Sequence, residues 1–186
     1  MQLSKDGWID DVACKKSPHY NSRPNDSVKL LVVHGISLPR GEFGGEAVSQ
    51  LFCGSLDCNS HSSFQSLKNL RVSAHFFIRR DGQLIQFVSC DKRAWHAGRS
   101  QWRGENDCND FSIGVELEGA DDIPYESKQY SALGELFAAL EKHYPGMKIT
   151  GHQHISPGRK TDPGEAFDWQ KLFDLIGESH DGRADL

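Results

Sequence analysis

The chain has 186 residues, of which 37% are apolar and 25% charged, and a net charge of −5. That length suits one domain with a core of its own, with no need for a disulfide or metal staple. The acidic balance excludes a non-specific nucleic-acid binder, the composition excludes a disordered or collagen-like chain, and no stretch approaches the ~20 apolar residues of a membrane span.

Residues 1–27 are polar and turn-rich, with Pro18 and Pro24, and predict a wrap around the domain rather than a separate unit. They lack the apolar run of ~7–15 residues that a secretory signal needs, which predicts a cytoplasmic protein. Residues 28–33 (Val-Lys-Leu-Leu-Val-Val) predict a buried strand ending at His34-Gly35. Residues 37–69 are irregular, with a short helix expected around Glu46–Phe52, and predict one wall of a binding cleft. Val72–Ile78 and Leu84–Val88 flank Arg80-Asp81-Gly82 and predict a hairpin. Residues 91–109 form a second irregular stretch. Phe111–Leu117 alternates as a strand, with Phe111, Ile113, Val115 and Leu117 on one face and Glu116 on the other.

Over residues 127–144, Tyr130, Leu133, Phe137, Leu140 and Tyr144 recur at three- and four-residue steps and predict a helix stopped by Pro145-Gly146. Met147–Thr150 predicts a short strand leading to Gly151-His152, followed by the loop Ser156–Glu165. A last helix is expected near Phe167-Asp168, with Asp168 as its N-cap and a frayed tail at 178–186. The element order predicts an α/β fold, a central mixed β-sheet flanked by α-helices, as a single domain over 1–186.

The chemistry-bearing residues gather at strand ends. There are nine histidines, and His34 and His152 follow predicted strands, where open α/β sheets place their sites. A catalytic zinc takes three protein ligands and leaves one position open. His34, His152 and Asp162 can supply two imidazoles and a carboxylate. His154 competes, because residues i and i+2 of an extended chain point to one side and can chelate together. Glu116, a charge in an otherwise apolar strand, is a candidate general base, and Lys160 a candidate oxyanion stabiliser. Trp95, with its flat aromatic face, and Arg71 and Arg159, with guanidinium groups that pair with carboxylates, are candidate ligand contacts. The five cysteines, Cys14, Cys53, Cys58, Cys90 and Cys108, are odd in number and irregularly spaced, which predicts free thiols.

Five segments in order resemble the N-acetylmuramoyl-L-alanine amidase type 2 family: Leu31-Val32-Val33-His34, Val72 to Phe76, Arg93 to Gly98, Cys108 to Gly119 and Gly151 to Gly164. The match covers about Gly7 to Trp169. It implies the fold of phage lysozyme-type amidases and peptidoglycan recognition proteins. It further implies Zn2+ on His34, His152 and Asp162, with Glu116 as catalytic base and Lys160 as transition-state stabiliser. The implied substrate is an anhydro-muropeptide, cut between 1,6-anhydro-N-acetylmuramic acid and L-alanine in the recycling of cell-wall fragments. The resemblance also implies an effect on β-lactamase induction, and a monomer with neither a nucleic-acid nor a membrane partner is expected.

Three positions depart from the pattern. His154 stands where an aspartate is common, Gly35 where an asparagine is usual, and Asp107 where an arginine is often found. Two rival readings remain: a binding module that holds cell-wall fragments without cutting them, and a cysteine hydrolase. All five metal and catalytic positions are filled, which speaks against the first. No cysteine sits in a recognisable nucleophile setting, which speaks against the second.

Overall fold

The structure is a computed structural model that describes residues 1–177, so the tail expected at 178–186 lies outside the described residues. In chain order the strands are β1 (Ala13–Cys14), β2 (Tyr20–Ser22), β3 (Leu30–Ile36), β4 (Phe76–Ile78), β5 (Leu84–Gln86), β6 (Lys92–Ala94), β7 (Gln101–Trp102), β8 (Glu105–Asn106), β9 (Ser112–Glu118) and β10 (Lys148–Gly151). The helices are α1 (Ala47–Phe52), α2 (Ser127–His143), α3 (His152–Ile155) and α4 (Trp169–Ile176). The main sheet runs β1-β5-β4-β9-β3-β10. Its middle is parallel, β10 with β3, β3 with β9 and β9 with β4, while β5 returns antiparallel beside β4. This is the mixed sheet with flanking helices that the sequence predicts.

Alternation along the central strands divides the molecule into two layers. Leu31 and Val33 of β3 and Ile113, Val115 and Leu117 of β9 face α2 and α4, against Leu133, Phe137, Leu140 and Phe173. The other parity of β3, Leu30 and Val32, packs with Ala97, Cys108 and Ile155. His34 continues that second face. Phe111 was expected beside Ile113 but belongs to the second cluster. It caps the 3-10 turn Cys108–Asp110 with φ −129° and ψ 14°, so the extended alternation does not reach it.

Several boundaries shift for local reasons. β3 runs on to Ile36, pairing Gly35 with Leu117 and Ile36 with Glu118, so His34 lies inside the strand rather than at its end. The hairpin strands are shorter than 72–78 and 84–88, because the Ser73 and His75 amides donate to Trp95 and Gly114 instead. Asp168 caps α4 as expected, its Oδ1 accepting the Lys171 amide at 3.0 Å. Within residues 37–69, α1 and a 3-10 turn at Ser62–Leu67 break the irregular run. That segment is tied to the sheet at Glu118, whose buried carboxylate accepts the Gly44 amide at 2.6 Å. No described helix is long and apolar enough to cross a membrane.

Candidate metal centre and active site

Register brings the candidates together. His34 and Glu116 are direct partners across parallel β3 and β9, so both side chains leave the same face. Gly151 is paired with Val33, so His152 leaves the end of β10 beside His34. The loop after α3 then folds back over this point. Gln153 donates its amide to the Asp162 carbonyl at 2.9 Å, and the Tyr125 hydroxyl donates to the Pro163 carbonyl at 2.9 Å. These bonds hold Asp162 over the two imidazoles.

The resulting cluster is tight. His34 Nδ1 lies 2.9 Å from His152 Nδ1, and Asp162 Oδ2 lies 3.1 and 3.0 Å from those two nitrogens. Two nitrogens and one carboxylate oxygen form a donor set that suits zinc, and their spacing is a few tenths short of the roughly 3.3 Å edge of a tetrahedron with ~2.0 Å bonds. The far nitrogen of His152 lies 3.0 Å from the Ala97 carbonyl, an acceptor only, which places the ring proton on Nε2 and turns the Nδ1 lone pair into the cluster. Burial, then the neighbouring His152, lowers His34 to about 4, so it is neutral near pH 7. Burial alone would raise Asp162, but hydrogen bonds with His152 and His34 outweigh it and hold the carboxylate ionised. The residues present therefore fit a divalent cation.

Glu116 sits beside the cluster with Oε2 buried and without a hydrogen-bond partner. Burial, and next the Asp162 charge, raise it well above the ordinary carboxylate range, while Lys160 pulls it down. Lys160 is exposed on the rim, close enough for its charge to reach both Glu116 and His34.

All eight predicted site residues line one cleft of about 500 Å³, together with an apolar wall that includes Leu38, Leu51, Leu67 and Leu70. Trp95 is partly exposed there, stacked on His19 and donating its indole N–H to Asn21 at 2.7 Å. Arg71 is exposed on the same lining. Arg159 spends Nη2 on the Ala97 and Arg99 carbonyls at 2.6 and 2.8 Å, so less of its guanidinium is free for a ligand than its exposure implies.

His154 is not part of the cluster. The segment after Gly151 is the helical turn α3, not an extended chain, so residue i+2 turns ~200° away from residue i. His154 Nδ1 instead accepts the Gly151 amide at 3.2 Å, and its ring packs on Trp169. Asp107 does not line the cleft; it adopts φ 58° at the start of the Cys108–Asp110 turn. Gly35 lies on the lining, where an added Cβ would meet the Tyr125 hydroxyl at 2.2 Å. No cysteine lines the cleft among the described residues, and all five are free. Tyr125, Asn109 and His96 also shape the site. Their polar atoms bond inward, and nothing in their spacing singles them out, although His96 and Asn109 each stand in one of the five matching segments.

Residues 24–165 match the family model described as N-acetylmuramoyl-L-alanine amidase. The chain is 50% identical over 180 residues to the 1,6-anhydro-N-acetylmuramyl-L-alanine amidase AmpD of Citrobacter freundii, covering 95% of this chain and 96% of that protein. It is also 50% identical over 179 residues to the Escherichia coli K12 protein of the same name, covering 95% and 98%. A crystal structure of a selenomethionine AmpD derivative superposes with a TM-score of 0.92 at 50% identity, covering 95% of this chain and 99% of that one. Sequence, fold and the contents of the cleft agree, and the chain belongs to the N-acetylmuramoyl-L-alanine amidase family.

Proposed function

We propose that this amidase uses one zinc ion on His34, His152 and Asp162 to hydrolyse the amide between 1,6-anhydro-N-acetylmuramic acid and the L-alanine of a stem peptide. The observation that carries the metal is the convergence of two Nδ1 atoms and one carboxylate oxygen within 3.1 Å of one another. The substrate rests on the names of relatives that match this chain along nearly its whole length.

Zinc held there supplies Lewis acidity, which makes water more acidic and the scissile carbonyl more electrophilic. Glu116 takes a proton from the attacking water as the new C–O bond forms. It then returns that proton to the leaving nitrogen as the C–N bond breaks, freeing the lactyl carboxylic acid and the L-alanine amine. The Lys160 ammonium offsets charge gathering on the carbonyl oxygen. With this substrate go a cytoplasmic location, a role in recycling wall fragments and, through uncleaved fragments, an effect on β-lactamase induction.

The test pairs metal analysis with an assay of peptide release from an anhydro-muropeptide. One zinc per chain is expected, with activity lost to a chelator and restored by zinc. Metal-free protein that turns over at the full rate would overturn the metal reading. Loaded protein that leaves the muropeptide intact would overturn the substrate.

A further inference from the structure

His152 has its outer proton fixed by a backbone carbonyl, whereas His34 has no carbonyl in that place. His34 Nε2 faces His96 Nδ1 at 2.9 Å. His96 Nε2 in turn faces the Ser112 hydroxyl at 3.2 Å, and that hydroxyl lies 2.5 Å from the Cys108 carbonyl oxygen. Three ring nitrogens and a hydroxyl can each act as donor or acceptor, so no single contact sets the direction. The terminus does. A carbonyl oxygen only accepts, so the Ser112 proton points at Cys108. The Ser112 oxygen must then receive from His96 Nε2–H. This leaves His96 Nδ1 as a lone pair, which must receive from His34 Nε2–H. Three protons fill three contacts, all in one direction, and the Nδ1 lone pair of His34 is left facing His152 and Asp162.

The fold builds room for this chain. A Cβ at Gly114 would lie 2.5 Å from the His96 ring, so only glycine lets the imidazole lie against β9. The Asn109 carboxamide oxygen accepts the His96 and Ala97 amides at 3.1 and 2.8 Å, fixing the backbone that presents the ring. Ser112 is fully buried at the start of β9, two residues before Gly114.

We infer that His96 is a positioning residue, which with Ser112 holds the proton of His34 on Nε2 and so keeps Nδ1 available as a metal ligand. The inference rests on the metal reading above. His96 touches neither the ligand atoms nor the reacting bond; it acts through His34.

The test measures zinc affinity by competition with a chromogenic chelator. His96→Leu removes the acceptor at similar volume and should weaken zinc binding by about 10–100-fold. His96→Asn places its carboxamide oxygen near the position of Nδ1 and should recover most of that loss, which a purely steric role would not allow. Ser112→Ala should fall between Leu and wild type. Nitrogen-15 NMR of the zinc-loaded wild type needs no variant, and should show the His96 proton on Nε2 with a lone pair on Nδ1. Wild type that takes up no zinc overturns the metal reading and this inference with it. Equal affinity in His96→Leu and wild type, or a His96 proton on Nδ1, overturns this inference alone.

Discussion

A carboxylate oxygen buried without a donor, as at Glu116, is held there against its own solvation, and a residue in that state is matched to picking up a proton. Glu116→Gln keeps the shape and removes that capacity. The variant should retain its zinc while kcat falls by ~10²–10⁴-fold; unchanged turnover would mean that another group moves the proton. Asp162→Ala should lose zinc and activity together, a pattern metal analysis separates from that of Glu116→Gln. A buried histidine outside the metal cluster adds its own share to the pH dependence of stability. His75 is fully buried, accepts the Gly114 amide on Nδ1 at 3.0 Å and donates from Nε2 to the Lys92 carbonyl at 2.9 Å. Burial, then the neighbouring Arg23, lowers it from 6.5 to about 3. Above pH 6.5 neither the folded nor the unfolded chain protonates it. Between 6.5 and about 3 only the unfolded chain does, so stability is lost as pH falls through that window. Urea midpoints measured across it should fall more steeply for wild type than for His75→Asn, and parallel slopes would contradict the assignment.

At the scale of elements, what the sequence discloses follows apolar periodicity. α2, β3 and β9 each bury a continuous apolar face, and their patterns mark them within a few residues. β1, β2, β6, β7 and β8 are two or three residues long and largely exposed, so no pattern marks them; pairing with a neighbour creates them. α3 has four residues, too few for a period, yet its turn decides between His152 and His154. The competing ligand was therefore legible as a residue and illegible as a direction. The same distinction predicts which changes destabilise. Leu133 is completely buried between α2 and the sheet, and Leu133→Ala should cost about 2–5 kcal/mol, with the spread set by how far the cavity collapses. Asp168→Ala, at the exposed start of α4, removes one capping bond and should cost ~1 kcal/mol. Urea denaturation of both variants checks the ranking, and an Asp168→Ala effect as large as that of Leu133→Ala would contradict it.

Across the whole molecule, the N-terminal segment and the wall of the cleft meet at one guanidinium. Arg23 donates from Nη1 to the Asn109 and Asp110 carbonyls at 3.0 and 3.1 Å, and from Nη2 to the Ser112 and Cys90 carbonyls at 2.8 and 3.2 Å. It thus ties the first residues to the start of β9 and to the stretch before β6, which lead on to Ser112 and to Trp95-His96. Upstream, the Lys15 and Ser17 amides continue the sheet by donating to the Gln86 and Phe87 carbonyls. We propose that this wrap and the sheet unfold as one unit, in keeping with a single domain. Arg23→Leu leaves several carbonyls without a donor, at a cost on the order of 3 kcal/mol. If the unit is single, that loss should appear in the global urea midpoint, and hydrogen exchange at the Lys15 and Ser17 amides should quicken by the same free energy as exchange at Val33 and Val115 in the central strands. If only the N-terminal amides quicken while the central strands keep their protection, the wrap opens independently and Arg23 closes it locally rather than stabilising the whole.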